Sequence, residues 1–343
     1  MTLETTPVTV DTRSGETLEI RPAKTTGEMQ KFYQWSHHVG FIPAANEYRI
    51  YCDSPHNWPL IGLVNNVPVS CLLVHIYDNH TAFFGPYIVA NAQDRRKGYG
   101  KPLWHYALDR LKGYNVGCFA SKILQPSYEK FGFQTFYSFE IRQGEFPAQL
   151  RDQAARHHHP QRYEIRTWVG KAGTQELAQG QQPPQPMASQ CHLPSLAHYD
   201  YIFTGLKRPE LISQWGHTMQ PHALVLCDVA TDGHPVVAMG AIYRTSATNG
   251  YRLGPWYAND KAAAKALALE LMTRVVTEEI KDDRGQPFVF DTTVSLSNLR
   301  AVQLMDEFGW HKVVDHLGGM WTQDMPEGML EKDIYGCLGA MSG

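Results

Sequence analysis

The residues best suited to chemistry in this chain gather between positions 85 and 133. At the centre stands Asp94-Arg95-Arg96-Lys97-Gly98-Tyr99-Gly100, a basic turn punctuated by two glycines. A strand-like segment over residues 83–89 leads into it, and an amphipathic helix expected over residues 101–111 leads out. A strand, a glycine turn and a helix start leave backbone N–H groups unpaired at the positive end of a helix dipole. Such a pocket suits phosphate, and Arg95, Arg96 and Lys97 add charge to it. Gly98 and Gly100 allow close backbone approach and positive φ angles. Downstream, Tyr128-Glu129-Lys130-Phe131-Gly132-Phe133 brings a phenol into the same part of the chain.

The elements that must position these groups are readable around them. Residues 18–22 alternate as a strand, and Thr25 with Glu28 resembles a capping box opening a helix through Trp35. A loop holding His37 and His38 follows, then a short helix near residues 46–51. Next comes a meander over residues 60–64, 67–77 and 82–89, turning at Asn65-Asn66 and Asp78-Asn79. After the glycine turn and its helix, residues 116–121 read as a strand, 125–130 as a short helix and 136–142 as a closing strand. The order βααβββαβαβ is an α/β layer with a mixed sheet.

Beyond residue 147 the character changes. His157-His158-His159 could hint at metal, but no Cys or acid sits at ligand spacing, so an exposed connector is expected. Residues 163–170 read as one more strand of the first domain, and residues 171–190, rich in Gln and Pro, as a linker. From residue 191 a meander, a long Ala/Leu-rich helix over 261–280, a strand over 288–294 and a helix over 298–308 repeat the second half of the first domain. The chain reads as an internal duplication.

Composition limits the partners. The 343 residues are 43% hydrophobic and 19% charged, enough for two packed cores. A net charge of −3 and no basic stripe with interleaved aromatics argue against nucleic acid. No apolar run approaches the roughly 20 residues of a membrane helix, and no secretory leader pattern opens the chain, so a cytoplasmic location without membrane contact is expected. The six cysteines are scattered without a CxxC pair and are expected to be reduced, packed thiols.

Arg95-Arg96-Lys97-Gly98-Tyr99-Gly100 resembles the R/Q-x-x-G-x-G/A loop of the GNAT superfamily of N-acyltransferases. Tyr128-Glu129-Lys130-Phe131-Gly132-Phe133 resembles that family's Y-E-K-x-G-F segment. A degraded second copy is carried by Asn298-Leu299-Arg300-Ala301-Val302-Gln303-Leu304-Met305-Asp306-Glu307-Phe308-Gly309-Trp310. There Met305 stands at the tyrosine position, and the loop Asn259-Asp260-Lys261-Ala262-Ala263-Ala264 lacks the glycines. Gly254-Pro255-Trp256-Tyr257 echoes Gly85-Pro86-Tyr87-Ile88. The layout is similar to tandem-GNAT proteins of the YitH-like (HolE-like) group. It implies a GNAT domain over residues 15–170, a linker over 171–190 and a degenerate GNAT-like domain over 191–343.

The resemblance also implies roles. Acetyl-CoA is the expected co-substrate, with no metal, its pyrophosphate held by Arg95, Arg96, Lys97, Gly98, Tyr99 and Gly100. A free N–H at Val89 or Ala90 would polarise the thioester carbonyl, and Tyr128 would protonate or hydrogen-bond the departing thiolate. Ala92 stands where many members have proline, which loosens the entry to the loop. The general base stays open among His37, His38, Glu47, Asp53 and His75. In the second domain Arg244, Arg252, Trp256 and Tyr257 either line the acceptor cleft or simply pack. Cys71 and Cys118 lie mid-strand with no adjacent base and are not expected to act as nucleophiles. The expected activity is transfer of an acetyl group to a small-molecule primary amine by direct attack. The alternatives are a protein or peptide N-acetyltransferase and a non-catalytic acyl-CoA sensor.

Overall fold

The computed structural model describes residues 6–41, 43–44, 47–52, 56–78, 80–146, 162–168, 190–191, 193–219, 222–245, 249–279, 287–330 and 333–337. The histidine trio 157–159, Asp53 and most of the segment 171–190 lie outside them. The chain forms two compact units. The first takes the described residues between 6 and 138 and between 316 and 325; the second takes those between 139 and 315 and between 326 and 337.

In the first unit, β1 (Val8–Asp11) and β2 (Thr17–Pro22) form a hairpin, followed by α1 (Thr26–His38) and α2 (Glu47–Cys52). The meander is β3 (Asn57–Val64), β4 (Val67–Ile76) and β5 (Thr81–Val89), then α3 (Lys101–Arg110), β6 (Asn115–Ser121), α4 (Gln125–Glu129) and the start of β7 (Gln134–Glu145). Thr25 caps α1 as expected, its Oγ1 accepting from the Glu28 N–H at 3.2 Å. Glu28 also accepts from Arg21 at 2.6 Å, and α1 runs on to His38. The expected stop at Trp35 therefore came a turn early, because histidines near a helix C-terminus face its negative end favourably. Asn65 and Asn66 both take positive φ, 50° and 63°, as a tight two-residue hairpin turn demands.

The sheet of this unit runs β1-β2-β3-β4-β5-β6 and ends on β14 (Lys312–Trp321). Its β5–β6 pairing is parallel, and β14 pairs antiparallel to β6 from Gly117↔Trp321 to Ser121↔Leu317. Leu60, Leu72, Val74, Phe84, Leu103, Trp104, Ala107 and Phe133 form the core between the sheet and α3.

The second unit begins where β7 crosses into it at Phe139. It adds β8 (Tyr163–Trp168), β9 (Gln190–Cys191), α5 (Leu193–Thr204), α6 (Pro209–Thr218), β10 (Ala223–Asp228), β11 (Val236–Arg244) and β12 (Gly250–Ala258). Then come α7 (Lys261–Glu279), β13 (Val289–Ser295), α8 (Leu299–Phe308) and β15 (Ile334–Gly336). The strand order is β9-β8-β10-β11-β12-β13-β7, with β15 also on β12. Asn298 caps α8 by accepting from the Ala301 N–H at 3.0 Å, and Gly309 closes it at φ 76°.

This partition differs from a contiguous first domain over residues 15–170. The strand expected at residues 163–170 forms, but β8 pairs with β10 from Leu224↔Thr167 to Asp228↔Tyr163 and so belongs to the second unit. The closing strands are exchanged as well. Residues Phe139 to Glu145 of β7 pair with β13, while β14, from the second half of the sequence, closes the first sheet.

Candidate active site

The candidate site starts from a defect in β5. Along β4 the register steps from Leu72 to Val74 while along β5 it steps from Tyr87 to Phe84, so β5 carries one extra residue at Gly85-Pro86. Proline cannot donate to a ladder, and bulges bend a strand. The parallel pairing of β5 with β6 runs from Thr81↔Asn115 to Phe84↔Cys118 and stops, although the two strands continue to Val89 and Ser121. Past the bulge β5 stays on β4 through Ser70↔Val89. A slot with unpaired strand backbone opens between β5 and β6.

Of the two residues expected to offer a free amide, the structure separates one from the other. The Ala90 N–H is donated to the Val69 carbonyl at 2.9 Å, so Ala90 cannot polarise a ligand. Amides alternate sides along a strand, which turns the Val89 N–H away from β4 and toward the slot.

The basic turn follows directly. Residues Ala92–Asp94 make a single tight turn, Arg96 takes φ 76° and Gly98 φ 101°. Among the described residues, the N–H groups of Arg96, Gly98, Tyr99 and Gly100 have no hydrogen-bond partner. Gly100 caps α3 without a side chain to satisfy the helix start. A Cβ at Gly100 would strike the Tyr87 hydroxyl, which places the turn against the bulged part of β5. Arg95 and Arg96 are exposed, whereas Lys97 is paired with Asp94 at 2.7 Å. The charge available to an anion thus comes chiefly from the two arginines. The hydrogen bond from Lys97 holds the Asp94 carboxyl below its ordinary range.

Tyr99 offers the turn its backbone N–H, while its side chain is engaged elsewhere. Its ring is buried, its hydroxyl donates to Glu16, and its carbonyl accepts from Ser70 Oγ at 3.0 Å. The side chain therefore anchors the turn from beneath rather than facing a ligand. Gly98 lies against the Arg13 backbone, 3.0 Å from where its Cβ would stand, so the β1–β2 hairpin tip braces the turn. Neither Glu16 nor Ser70 carried a local sequence signal, since both reach Tyr99 across distant parts of the chain.

Tyr128 sits on the other flank. Its ring stacks on Trp104 at 4.7 Å, and Trp104 also meets Tyr87 at 5.0 Å and Phe84 at 4.8 Å. Burial, with smaller contributions from Cys118 and Tyr87, pushes the Tyr128 phenol well above its ordinary pKa. It therefore holds its proton at neutral pH. Burial also pushes up the Tyr87 phenol, to about 12, and the Cys118 and Cys71 thiols. Burial thus disfavours the thiolate at both cysteines.

The acceptor-side candidates divide into groups. Glu47 and His75 are both buried and are linked through Tyr51, whose hydroxyl donates to Glu47 at 2.6 Å and whose ring lies 5.0 Å from His75. His75 Nδ1 meets Asn57 Oδ1 at 2.6 Å. His37 and His38 are exposed in the last turn of α1, where His38 Nδ1 meets the Gln34 carbonyl at 2.7 Å.

In the second unit Trp256 is fully buried and donates to the Ala264 carbonyl at 3.2 Å, so the expectation that it meets substrate is corrected: it is a core side chain. Arg252 pairs with Asp291, and Tyr257 accepts from Arg208; these two pack as well. Among the described residues, no group of three or more His, Cys, Asp or Glu could hold a metal ion. No helix among them is long and apolar enough to cross a membrane.

A family model described as Acetyltransferase (GNAT) family matches residues 25–133. The holothin acyltransferase of Pseudoalteromonas sp. (strain SANK 73390) is 26% identical over 215 residues, 63% of this chain and 61% of that protein. The match thus spans about three-fifths of the relative's own length. A putative acetyltransferase from Pyrococcus horikoshii has the same fold at a TM-score of 0.65 and 15% identity, over 95% of this chain and 96% of its own. A tandem GNAT protein from the clavulanic acid biosynthesis pathway, solved without AcCoA, gives 0.58 and 13% over 89% and 98%. Residues 25–133 thus match the GNAT acetyltransferase family, and the chain shares over most of its length the fold of a tandem GNAT protein.

Proposed function

We propose that the chain is an acetyl-CoA-dependent N-acetyltransferase acting on a primary amine of a small molecule. The observation that carries this reading is the parting of β5 from β6 beyond Phe84↔Cys118, followed in sequence by the uncapped start of α3, whose Trp104 meets both Tyr87 of β5 and Tyr128. The donor set fits the co-substrate: the unpartnered amides of Arg96, Gly98, Tyr99 and Gly100 and the free guanidinium groups of Arg95 and Arg96 suit a pyrophosphate. Exposed strand backbone on β5 suits an amide-bearing arm, by strand addition. Acetyl-CoA would supply the activated acyl group.

The chain's own residues would then act in fixed roles. The Val89 N–H stabilises negative charge developing on a carbonyl oxygen at the slot. Tyr128, held protonated by burial, delivers a proton to a departing thiolate. The Glu47–Tyr51 pair and His75 are the buried polar groups available to orient an amine or take its proton. Burial raises the Cys71 and Cys118 thiols and disfavours their thiolates, which supports direct attack by the amine over cysteine acylation.

The test is thiol release from acetyl-CoA over a panel of small amines, comparing wild type with Tyr128→Phe and Gly98→Glu. Turnover with at least one small amine, lost in both variants, is expected. Turnover with peptides alone would move the reading to a protein or peptide acetyltransferase. Binding of acetyl-CoA without turnover on any amine would identify a sensor.

A further inference from the structure

The second unit repeats the bulge that opens the slot in the first. Along β11 the register steps from Gly240 to Ile242 while along β12 it steps from Trp256 to Leu253, so the extra residue falls at Gly254-Pro255. The parallel pairing of β12 with β13 likewise stops, at Arg252↔Asp291, although the strands continue to Ala258 and Ser295. Here, however, a strand lies in the gap. β15 pairs antiparallel to β12, with Trp256 opposite Gly336 and Tyr257 opposite Ile334. On its other side the Cys337 N–H donates to the Thr293 carbonyl of β13 at 3.2 Å, and Asn298 Nδ2 donates to the Ile334 carbonyl at 3.1 Å.

The fit is close. A Cβ at Gly254 would collide with the Cys337 carbonyl, and one at Gly336 would lie 2.5 Å from Thr292 Oγ1 and 3.0 Å from the Leu253 carbonyl. Tyr335 is fully buried with its ring 5.4 Å from Trp256, and an Arg300–Asp333 ion pair pins the entry to the strand. The helix start is also satisfied from within. Asp260 Oδ1 accepts from the Ala263 N–H at 2.8 Å, which puts a carboxylate where α3 of the first unit has only Gly100. An anion cannot share that helix terminus without meeting like charge.

We propose that the second unit carries its own substitute ligand: β15 fills the inter-strand slot as a thioester arm would, the Asp260 carboxylate takes the phosphate position, and the chain binds one acyl-CoA. This rests on the proposed function only in reading the first unit's slot as the acyl-CoA site. Hydrogen exchange on the full chain, with and without acetyl-CoA, tests it. The amides of residues 334–337 are expected to be strongly protected without ligand and unchanged by it, while acetyl-CoA protects residues 87–100. Gly254→Ala is expected to abolish protection at 334–337 while leaving acetyl-CoA affinity unchanged.

Rapid exchange at 334–337 in the wild-type chain overturns the inference whatever acetyl-CoA does, and so does ligand-induced exposure there or binding of two equivalents. Strong protection at 334–337 with no acetyl-CoA effect anywhere supports the occupied slot and sinks the proposed function instead.

Discussion

The Tyr128 ring lies on the Trp104 indole with centroids 4.7 Å apart and planes inclined by 20°. The stack holds the phenol at the slot through its ring, and no described residue hydrogen-bonds its hydroxyl. Function and packing can therefore be separated at this residue. Tyr128→Phe is expected to keep the melting temperature nearly unchanged while turnover falls about 10²-fold or more, the usual worth of a positioned proton donor. Trp104→Ala removes the platform itself and is expected to cost about 3–5 kcal/mol in a denaturant titration. Full turnover in Tyr128→Phe would remove it from the mechanism.

The turn at Gly98 is held in a shape that a side chain resists. At φ 101° an L-residue pays about 1–2 kcal/mol, and the new Cβ would press on the Arg13 backbone. Gly98→Ala should lower stability by about that amount and weaken acetyl-CoA binding, measured by calorimetric titration. Gly100→Ala should do the same by displacing the Tyr87 hydroxyl. Unchanged affinity in both variants would place the ligand elsewhere.

Glu16 acts on the same turn from outside the stretch that matches the family model. It accepts from the Tyr99 hydroxyl and from Ser14 Oγ at 2.7 Å, and the first of these bonds holds its carboxyl below the ordinary range. Glu16→Ala leaves the Tyr99 phenol without its acceptor and removes the anchor beneath the turn. Because the variant loosens the turn and leaves Tyr128 in place, KM for acetyl-CoA should rise more than kcat falls. A fall in kcat alone would contradict a positioning role.

The exchanged strands make each half of the chain incomplete. Trp321 of β14 donates to the Tyr137 hydroxyl at 3.1 Å and packs on Gly117, so the first sheet closes on a segment encoded far downstream. A fragment of residues 1–170 lacks that strand and leaves β6 as a bare edge. It is expected to be insoluble or unfolded alone and to regain structure when co-expressed with residues 171–343. A cooperative melt from the isolated fragment would show that the exchange is dispensable.

Buried phenols set the alkaline limit. Burial raises the phenol pKa of Tyr128, Tyr199 and Tyr257 above the ordinary 10.0, and takes Tyr87 and Tyr335 to about 12. A raised folded-state pKa means the native state holds protons that the unfolded chain releases first, so the phenol contribution is intact below pH 10 and falls above it, while the buried Cys71, Cys118 and Cys337 thiols, raised from 9.0, begin the loss near pH 9. Melting temperature should be flat from neutral pH to about 9 and drop steeply beyond 10. A drop centred near pH 7–8 would point to other groups.

Local patterns were legible where one short segment determines the outcome. Gly98, Gly100 and the helix from Lys101 follow from glycine freedom and the strand–turn–helix order, and Asn65-Asn66 and Thr25 announced a turn and a cap. The exchange of β7 and β14 was hidden, because both strands follow their helices as in an unexchanged fold and nothing in their residues says which sheet edge they join. Trp256 misled for a related reason. An indole after a Gly-Pro bulge reads equally as cleft lining or core, and only the packing of β15 against β12 decides it. The amide of Ala90 was offered beside that of Val89 because strand alternation is set by register, which the Ala90–Val69 bond supplies.

Calorimetric titration of acetyl-CoA into the wild-type chain and into Gly98→Glu tests the account most directly. Saturable binding of one equivalent per chain to wild type and none to the variant is expected, with both proteins folded. Absence of binding to wild type, or equal binding by a folded Gly98→Glu, would contradict it.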